Sequence, residues 1–255
     1  MQEIYPNSNM IKNWTYKNFT IQEFQQLDST NSHAFELANL HQISDREIIL
    51  ANSQNCGRGR QNRSWSSPQG NLYFSLVLRP KILAEKIPQI SFVGIVALRL
   101  AIEKIAMGKM QIQAKWPHDL LIDGKKTAGL LLESKISQKN CEFVILGIGV
   151  NIESSPDETI FPAGNLKSFG LDILPEMALK NFLVEFEVSY QNWCDFGFKG
   201  VRQSWLKNAY RLQEKITVRF DEKQLEGVFE GLDEEGSLLL KCEGKIVKIS
   251  AADVL

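Results

Sequence analysis

The sequence predicts an α/β (α+β) core followed by a small C-terminal β-barrel. Three observations carry this. Helical and strand periodicities are mixed along residues 1–210. Short apolar segments separated by Asp/Glu/Gly turns fill residues 215–255. No internal repeat or low-complexity linker interrupts the chain. At 255 residues and 44% hydrophobic, it can bury one large domain and a small module, divided here as 1–210 and 211–255.

The elements follow in order. Ser29, Thr30 and Asn31 form a helix start, with Ala34, Leu37 and Ala38 at helical spacing behind them. Residues 47–51 are a short apolar strand. A long polar loop, 54–70, contains Gly57, Gly59, Pro68 and Gly70, and residues 71–78 return to strand character. Residues 91–106 repeat apolar side chains at helical spacing through Val93, Val96, Leu100 and Ile105. Residues 112–115 and 120–122 are strand-like, and Asp123-Gly124 is a hairpin signal between apolar runs. Segments 127–132 and 143–152 complete the core pattern. Residues 176–194 and 201–209 are predicted helices. The terminal strands are expected at 215–220, 225–232, 237–241 and 245–249.

Composition narrows the function classes. The net charge is -1, which gives no concentrated positive field for nucleic acid or an anionic membrane. The terminal segment 213–255 holds six Lys/Arg against ten Asp/Glu, a poor balance for an RNA- or DNA-binding barrel. Four scattered cysteines form no C-x-x-C pair, which fits a reducing cytoplasm better than a disulfide framework or a zinc site. Residues 1–10 lack the basic and then apolar pattern of a secretory signal. The longest apolar stretch, 90–102, includes Ser91 and Arg99 and is too short to span a bilayer.

Three segments carry chemistry. Gly57-Arg58-Gly59-Arg60, followed by Arg63 and Trp65, combines glycines that allow close backbone approach with planar cationic forks for carboxylate or phosphate. Taken alone it also fits a solvated basic loop. It is neither a P-loop nor a dinucleotide fingerprint. In Lys115-Trp116-Pro117-His118-Asp119, the Asp119 carboxylate is suited to Mg²⁺ on phosphates. Seven residues on, past the tight turn, Lys126 can return to the same pocket as a cation for developing charge. The alternative is a hairpin with a surface lysine pair. Gly147, Gly149 and Asn151 put small residues and an amide at the end of a buried strand, which is also what close strand packing needs.

In this order and spacing, the segments resemble the biotin–protein ligase family. That family shows Ser-Thr-Asn near the start, then Gly-Arg-Gly-Arg with Arg-x-Trp, Lys-Trp-Pro-Asn-Asp, Lys-x-Ala-Gly and Gly-x-Gly-x-Asn. The resemblance extends into 227–241 and so covers nearly the whole chain. It implies a class II aminoacyl-tRNA synthetase-like core with an SH3-like C-terminal barrel, in a short form without a DNA-binding domain.

The implied reaction uses biotin and Mg-ATP. Biotinyl-5′-AMP forms, and biotin then passes to a lysine of a biotin carboxyl carrier domain. By resemblance, the biotin side comprises Ser29, Thr30, Asn31, Gln54, Gly57, Arg58, Gly59, Arg60, Lys126 and Gly129. The nucleotide side comprises Arg63, Trp65, His118, Asp119, Lys126, Gly147, Gly149 and Asn151. Asp119 is the metal-side carboxylate, and Lys126 and Arg60 are the catalytic pair. Two anions must meet, so cations must offset their repulsion, and a loop must exclude water from a hydrolysable acyl-adenylate.

Two departures stand out. His118 occupies a usual Asn position, where an imidazole replaces only one of an amide's hydrogen bonds at a time. Asn62 occupies a common Gly position and tolerates a left-handed backbone. Competing readings are a lipoate–protein ligase, a biotin-sensing repressor and a degenerate nucleotide binder. The first lacks its arginine pair and Gly-Gly-Gly segment here. The second is short of chain before Ser29 for a helix-turn-helix. For the third, His118 is the only hint. A monomer and a homodimer both remain open.

Overall fold

The computed structural model describes residues 9–157, 159, 161–220 and 223–254. Its main body is an eight-stranded mixed sheet. The strands are β1 (Met10–Tyr16), β2 (Phe19–Phe24), β3 (Glu47–Ala51), β4 (Leu72–Leu78), β5 (Ile112–Lys115), β6 (Asp119–Ile122), β7 (Lys125–Ser137) and β8 (Asn140–Val150). Their order is β1-β2-β3-β4-β8-β7-β6-β5, with only β2 and β3 parallel.

Helix α1 (Thr30–Asn39) makes that parallel crossover. It starts where sequence chemistry places it, because the extended Ser29 accepts a bond from Ser32 N–H at 3.4 Å. α1 covers one sheet face over Ile49, Val77 and Ile145. The opposite face, with Ile48, Leu76 and Leu146, packs beneath α2 (Ile87–Ala106) and α3 (Pro175–Phe196). Covered on both sides, β4 and β8 read as continuous apolar runs. α2 comes close because Gly94 has no side chain; a Cβ there stands 2.7 Å from Leu130 Cδ2.

Several boundaries differ from expectation. The β1–β2 pair has no counterpart in the sequence reading; β1 is an edge strand with mostly exposed, polar residues. β7 and β8 run longer than their apolar stretches, since their outer ends pair beyond the core. α4 (Phe198–Lys207) ends before Ala209, which leaves the helix to lie beside β5. Ala114 N–H donates to Asn208 O at 2.8 Å and Tyr210 N–H to Ala114 O at 2.9 Å, so the edge of β5 is satisfied. Asp123 and Gly124 both have positive φ (47° and 75°) and form the expected turn between β6 and β7.

The terminal segment forms a five-stranded antiparallel sheet from β9 (Lys215–Phe220), β10 (Lys223–Leu232), β11 (Leu238–Cys242), β12 (Lys245–Ile249) and β13 (Asp253–Val254), ordered β12-β11-β10-β9-β13. It shares the main core. Trp205 of α4 is fully buried, with Phe92 at 5.6 Å and Phe229 at 6.3 Å between ring centroids. Trp116 Nε1 donates to Gly236 O at 3.0 Å. Gly236 (φ 92°) lies against Phe92, where a Cβ stands at 2.5 Å. This docking brings β13 to the end of the main sheet that carries the candidate residues.

Candidate functional site

A cavity of about 330 Å³ opens where α1, the 54–70 loop, β6, β7, β8 and β13 converge. It gathers Ser29, Thr30, Asn31, Gln54, Arg58, Gly59, Arg60, Arg63, Trp65, His118, Asp119, Lys126, Gly129, Gly147, Gly149 and Asn151. Gly57 is the exception. It is buried under the loop, where a Cβ stands 2.4 Å from Trp65 O and 2.5 Å from Ser67 Oγ. Its small size lets the loop fold rather than shape the cavity wall.

One end is a hydrogen-bond network of neutral side chains, bounded by the Glu133 carboxylate. Thr30 donates to Gln54 Oε1 through both N–H (2.8 Å) and Oγ1–H (3.1 Å). Gln54 Nε2 donates to Ser67 Oγ at 2.9 Å, and Ser67 donates to Trp65 O at 2.9 Å. Buried Ser75, one strand away, lies 2.6 Å from Asn31 Oδ1 and 2.8 Å from Thr30 Oγ1. Asn31 Nδ2 donates to Glu133 Oε2 at 2.8 Å. The network fixes the Gln54 amide with its oxygen toward α1 and its nitrogen toward the loop. Gly147 makes room for Asn31, since a Cβ there falls 2.0 Å from Asn31 Oδ1.

The middle is a shelf. Gly129 and Gly149 face each other across β7 and β8. The Trp65 indole lies over both, and Lys126 Nζ stands 5.2 Å from its ring.

The far end is cationic. Lys126 Nζ pairs with Asp119 Oδ1 at 2.8 Å. Lys115 is buried, 6% exposed, with Nζ 4.1 Å from the Phe161 ring centroid. Burial pushes its pKa down to about 8, against support from Asp119. Burial, then the nearby Arg60 charge, pushes His118 down to about 3, so the ring is neutral at physiological pH. Its Nδ1 is enclosed without a protein partner. Asn151 donates Nδ2 to Gly164 O at 3.1 Å, pinning the segment that follows Phe161.

The arginine loop is a short hairpin. Trp65 N–H donates to Gly57 O (2.8 Å), and Gly59 N–H donates to Arg63 O (2.6 Å). Its 3-10 turn spans Arg60–Asn62, and the left-handed residue is Gln61 (φ 52°), one place before Asn62. Each arginine has a different anchor. Arg58 Nη2 reaches Glu133 (3.0 Å), Arg60 Nη1 donates to Ala252 O (3.2 Å), and Arg63 Nη2 pairs with Asp253 (2.8 Å). Burial lowers the Arg60 pKa, with Asp253 opposing.

Sequence reasoning missed Ser75, Lys115, Phe161, Arg219, Asp253 and Val254. Lys115 sits inside a quoted motif, but its burial has no local signature. Ser75 is one polar residue in an apolar strand, and that was the available signal. Arg219 and β13 arrive only through docking of the second sheet. Among the described residues, no group of three His, Cys, Asp or Glu side chains is arranged to hold a metal ion by itself. The cavity offers Asp119 and Asp253 as its carboxylates among a surplus of cations.

Sequence and fold both match known proteins. A model described as the biotin/lipoate A/B protein ligase family matches residues 23–151, and one described as the biotin protein ligase C terminal domain matches 212–255. The chain is 36% identical over 233 residues to the biotin–[acetyl-CoA-carboxylase] ligase of Paracoccus denitrificans, covering 89% of this chain and 96% of that one. It is 35% identical to the bifunctional ligase/repressor BirA of Bacillus subtilis over 236 residues, covering 89% and 71%. Biotin protein ligase from Aquifex aeolicus, solved in complex with biotin and ATP, superposes with a TM-score of 0.78 at 26% identity, covering 94% and 98%.

Proposed function

Because the chain belongs to the biotin/lipoate A/B protein ligase family, we propose that it is an ATP-dependent biotin–protein ligase that forms biotinyl-5′-AMP and transfers biotin to a lysine of a carboxylase carrier domain. The observation that carries this is the polarity of one cavity. A neutral, orientation-fixed network at Thr30, Gln54 and Ser75 faces a cationic end at Lys126, Lys115, Arg60 and Arg63. Biotin has that shape of demand: an uncharged ureido head, an apolar body and a carboxylate that must meet a triphosphate.

In the first step a biotin carboxylate oxygen attacks the α-phosphorus, and the bond to pyrophosphate breaks. Lys126 offsets the charge where the two anions join. Trp65 and the glycine shelf hold the apolar body. Arg60 and Arg63 lie over the phosphates, and Arg58 closes the biotin side with Glu133. In the second step the carrier lysine nitrogen attacks the acyl carbon, loses a proton and releases AMP. Neutral His118 packs against the nucleotide without moving a proton. Mg²⁺ carried on the ATP phosphates would screen their charge and would need only one or two protein carboxylates; Asp119, whose Oδ1 also holds Lys126, would be the residue to hold it.

Residues 1–210 act as a class II synthetase-like catalytic domain and 211–255 as an SH3-like barrel, supported by the second sheet beginning at Lys215. We place the enzyme in the cytoplasm, supported by its four free cysteines. Among the described residues, no helix is long and apolar enough to cross a membrane. The acid-rich second sheet disfavours DNA as a partner, and a monomer or homodimer is compatible with the site, which one chain completes. Biotin-dependent exchange of pyrophosphate into ATP tests the reading. Exchange with biotin and none with lipoate supports it; equal rates with lipoate overturn it.

A further inference from the structure

The second sheet reaches the cavity through β13. Asp253 is a register partner of Arg219 in β9, and its side chain is only 15% exposed. Its Oδ1 lies 2.8 Å from Arg63 Nη2 and its Oδ2 lies 4.0 Å from Arg219 Nη2. One residue earlier, Ala252 O accepts from Arg60 Nη1 at 3.2 Å. Two loop arginines therefore rest on Ala252 and Asp253, consecutive residues where β13 begins. The hairpin does not need these contacts to close on itself, because its backbone bonds between Gly57 and Trp65 and between Gly59 and Arg63 do that. The contacts fix where the closed hairpin sits.

A carboxylate beside an anion site repels the ligand, so its presence calls for another role. Arg63 supplies one. Its Nε donates back to Arg60 O at 3.2 Å while its Nη2 is taken by Asp253. The guanidinium plane is thus held at two points, one on the loop and one on the second sheet.

We propose that Asp253 is a positioning residue that latches the arginine hairpin over the cavity, and so sets how long an acyl-adenylate stays enclosed. This rests on the ligase reading above. Opening the hairpin breaks the Arg63–Asp253 pair and the Arg60–Ala252 bond, and no atom of Asp253 takes part in either chemical step. Where a loop gates release, a weaker latch raises the escape rate and leaves formation of the intermediate nearly unchanged.

The test compares the full-length parent with Asp253→Asn, which keeps shape and removes charge, and Asp253→Glu, which keeps charge. In ligand-free protein, trypsin cuts after Arg58 and Arg60 about three- to tenfold faster in the Asn variant, as expected for losing a partly exposed pair, and near the parent rate in the Glu variant. In single turnovers with biotin and saturating ATP, the Asn variant forms adenylate within about twofold of the parent and releases it about three- to tenfold faster. Arg63→Met combined with Asp253→Asn leaks no more than either single variant. Parent-like cleavage and release in the Asn variant, or additive leakage in the double variant, overturns the latch. If the parent forms no adenylate, the ligase reading falls, while the ligand-free cleavage rates still decide the latch. Should Asp253→Asn fail to fold, Arg63→Met breaks the same pair and carries the comparison at Arg58 and Arg60, with Asp253→Glu as the control expected to match the parent.

Discussion

Gly129 and Gly149 are cross-strand partners, and together they form the floor on which the Trp65 indole lies. A Cβ at Gly149 stands 2.5 Å from Trp65 Nε1, while one at Gly129 stands 3.0 Å from Cζ3. Glycine inside a strand costs about 0.5–1 kcal/mol relative to alanine. Two facing glycines are accepted here because the ring needs the space. Gly149→Ala pushes the indole into the volume meant for ligand, and overpacking of this kind costs ~1–3 kcal/mol. Calorimetric titration should show biotin affinity falling about tenfold or more in Gly149→Ala, and less in Gly129→Ala. Unchanged affinity in the Gly149 variant means that the ring has another place to go.

His118 is held neutral by burial and by Arg60, with its pKa pushed down to about 3. It therefore contributes no ionisation between pH 5 and 8. An asparagine at this position carries an acceptor and a donor at once, where each nitrogen of the neutral ring supplies only one of the two. His118→Asn should keep the shape of the pH–rate profile between pH 5 and 7 and should lower the KM for ATP. Loss of an acid limb in the variant identifies a proton-transfer role and refutes the neutral assignment.

The legible part of the fold is the part whose causes are local. The cap at Ser29, the Asp123-Gly124 turn and the apolar repeats of α2 announce themselves through spacing and residue type. The β1–β2 pair does not, since its outer strand alternates weakly and faces solvent. The cavity residues were legible where a motif carries them, from Thr30 to Asn151. Gly57 lies under the loop and not on the cavity wall, and a glycine required by hairpin closure and one required by a ligand look alike in sequence. Lys115 and Asp253 were invisible for a different reason. Burial of the first is made by Phe161, and the position of the second by docking of β9 and β13, and neither contact leaves a pattern in neighbouring residues.

Lys115 gives the site a pH response. Burial disfavours its charged form and lowers its pKa from 10.5 to about 8. Below pH 8 both folded and unfolded chains carry the proton, and the folded state bears the full penalty of burying it. Between 8 and 10.5 the unfolded chain holds a proton that the folded chain has released, so this contribution to stability rises with pH across that window. Lys115→Met should accordingly raise the melting temperature of the ligand-free protein at pH 7, with the gain shrinking as pH approaches 10.5. ATP binding has the opposite sign, because phosphates favour the ammonium. The KM for ATP should climb as pH passes about 8, and that climb should be missing in Lys115→Met. A variant that keeps the same alkaline rise places the titration elsewhere.

Lys126 and Asp119, paired at 2.8 Å, must be tested together. Lys126→Met removes the cation that offsets carboxylate–phosphate repulsion in the first transition state. Losing one preorganised group of this kind costs ~3 kcal/mol, on the order of a hundredfold in rate. Part of that loss comes from Asp119, which is left facing the cavity as an uncompensated anion beside two others. Asp119→Asn in the Lys126→Met background should therefore recover some of the rate, about three- to tenfold, whereas the same change in the parent slows it. Quenched single-turnover measurements of adenylate formation at saturating Mg-ATP supply all four rates. Recovery in the double variant means that the two side chains act as one unit, with Asp119 setting the position of Lys126. If the double variant is instead slower than Lys126→Met by the factor Asp119→Asn costs the parent, Asp119 acts on its own through the metal-bound phosphates, and the pairing seen across the cavity is incidental to catalysis.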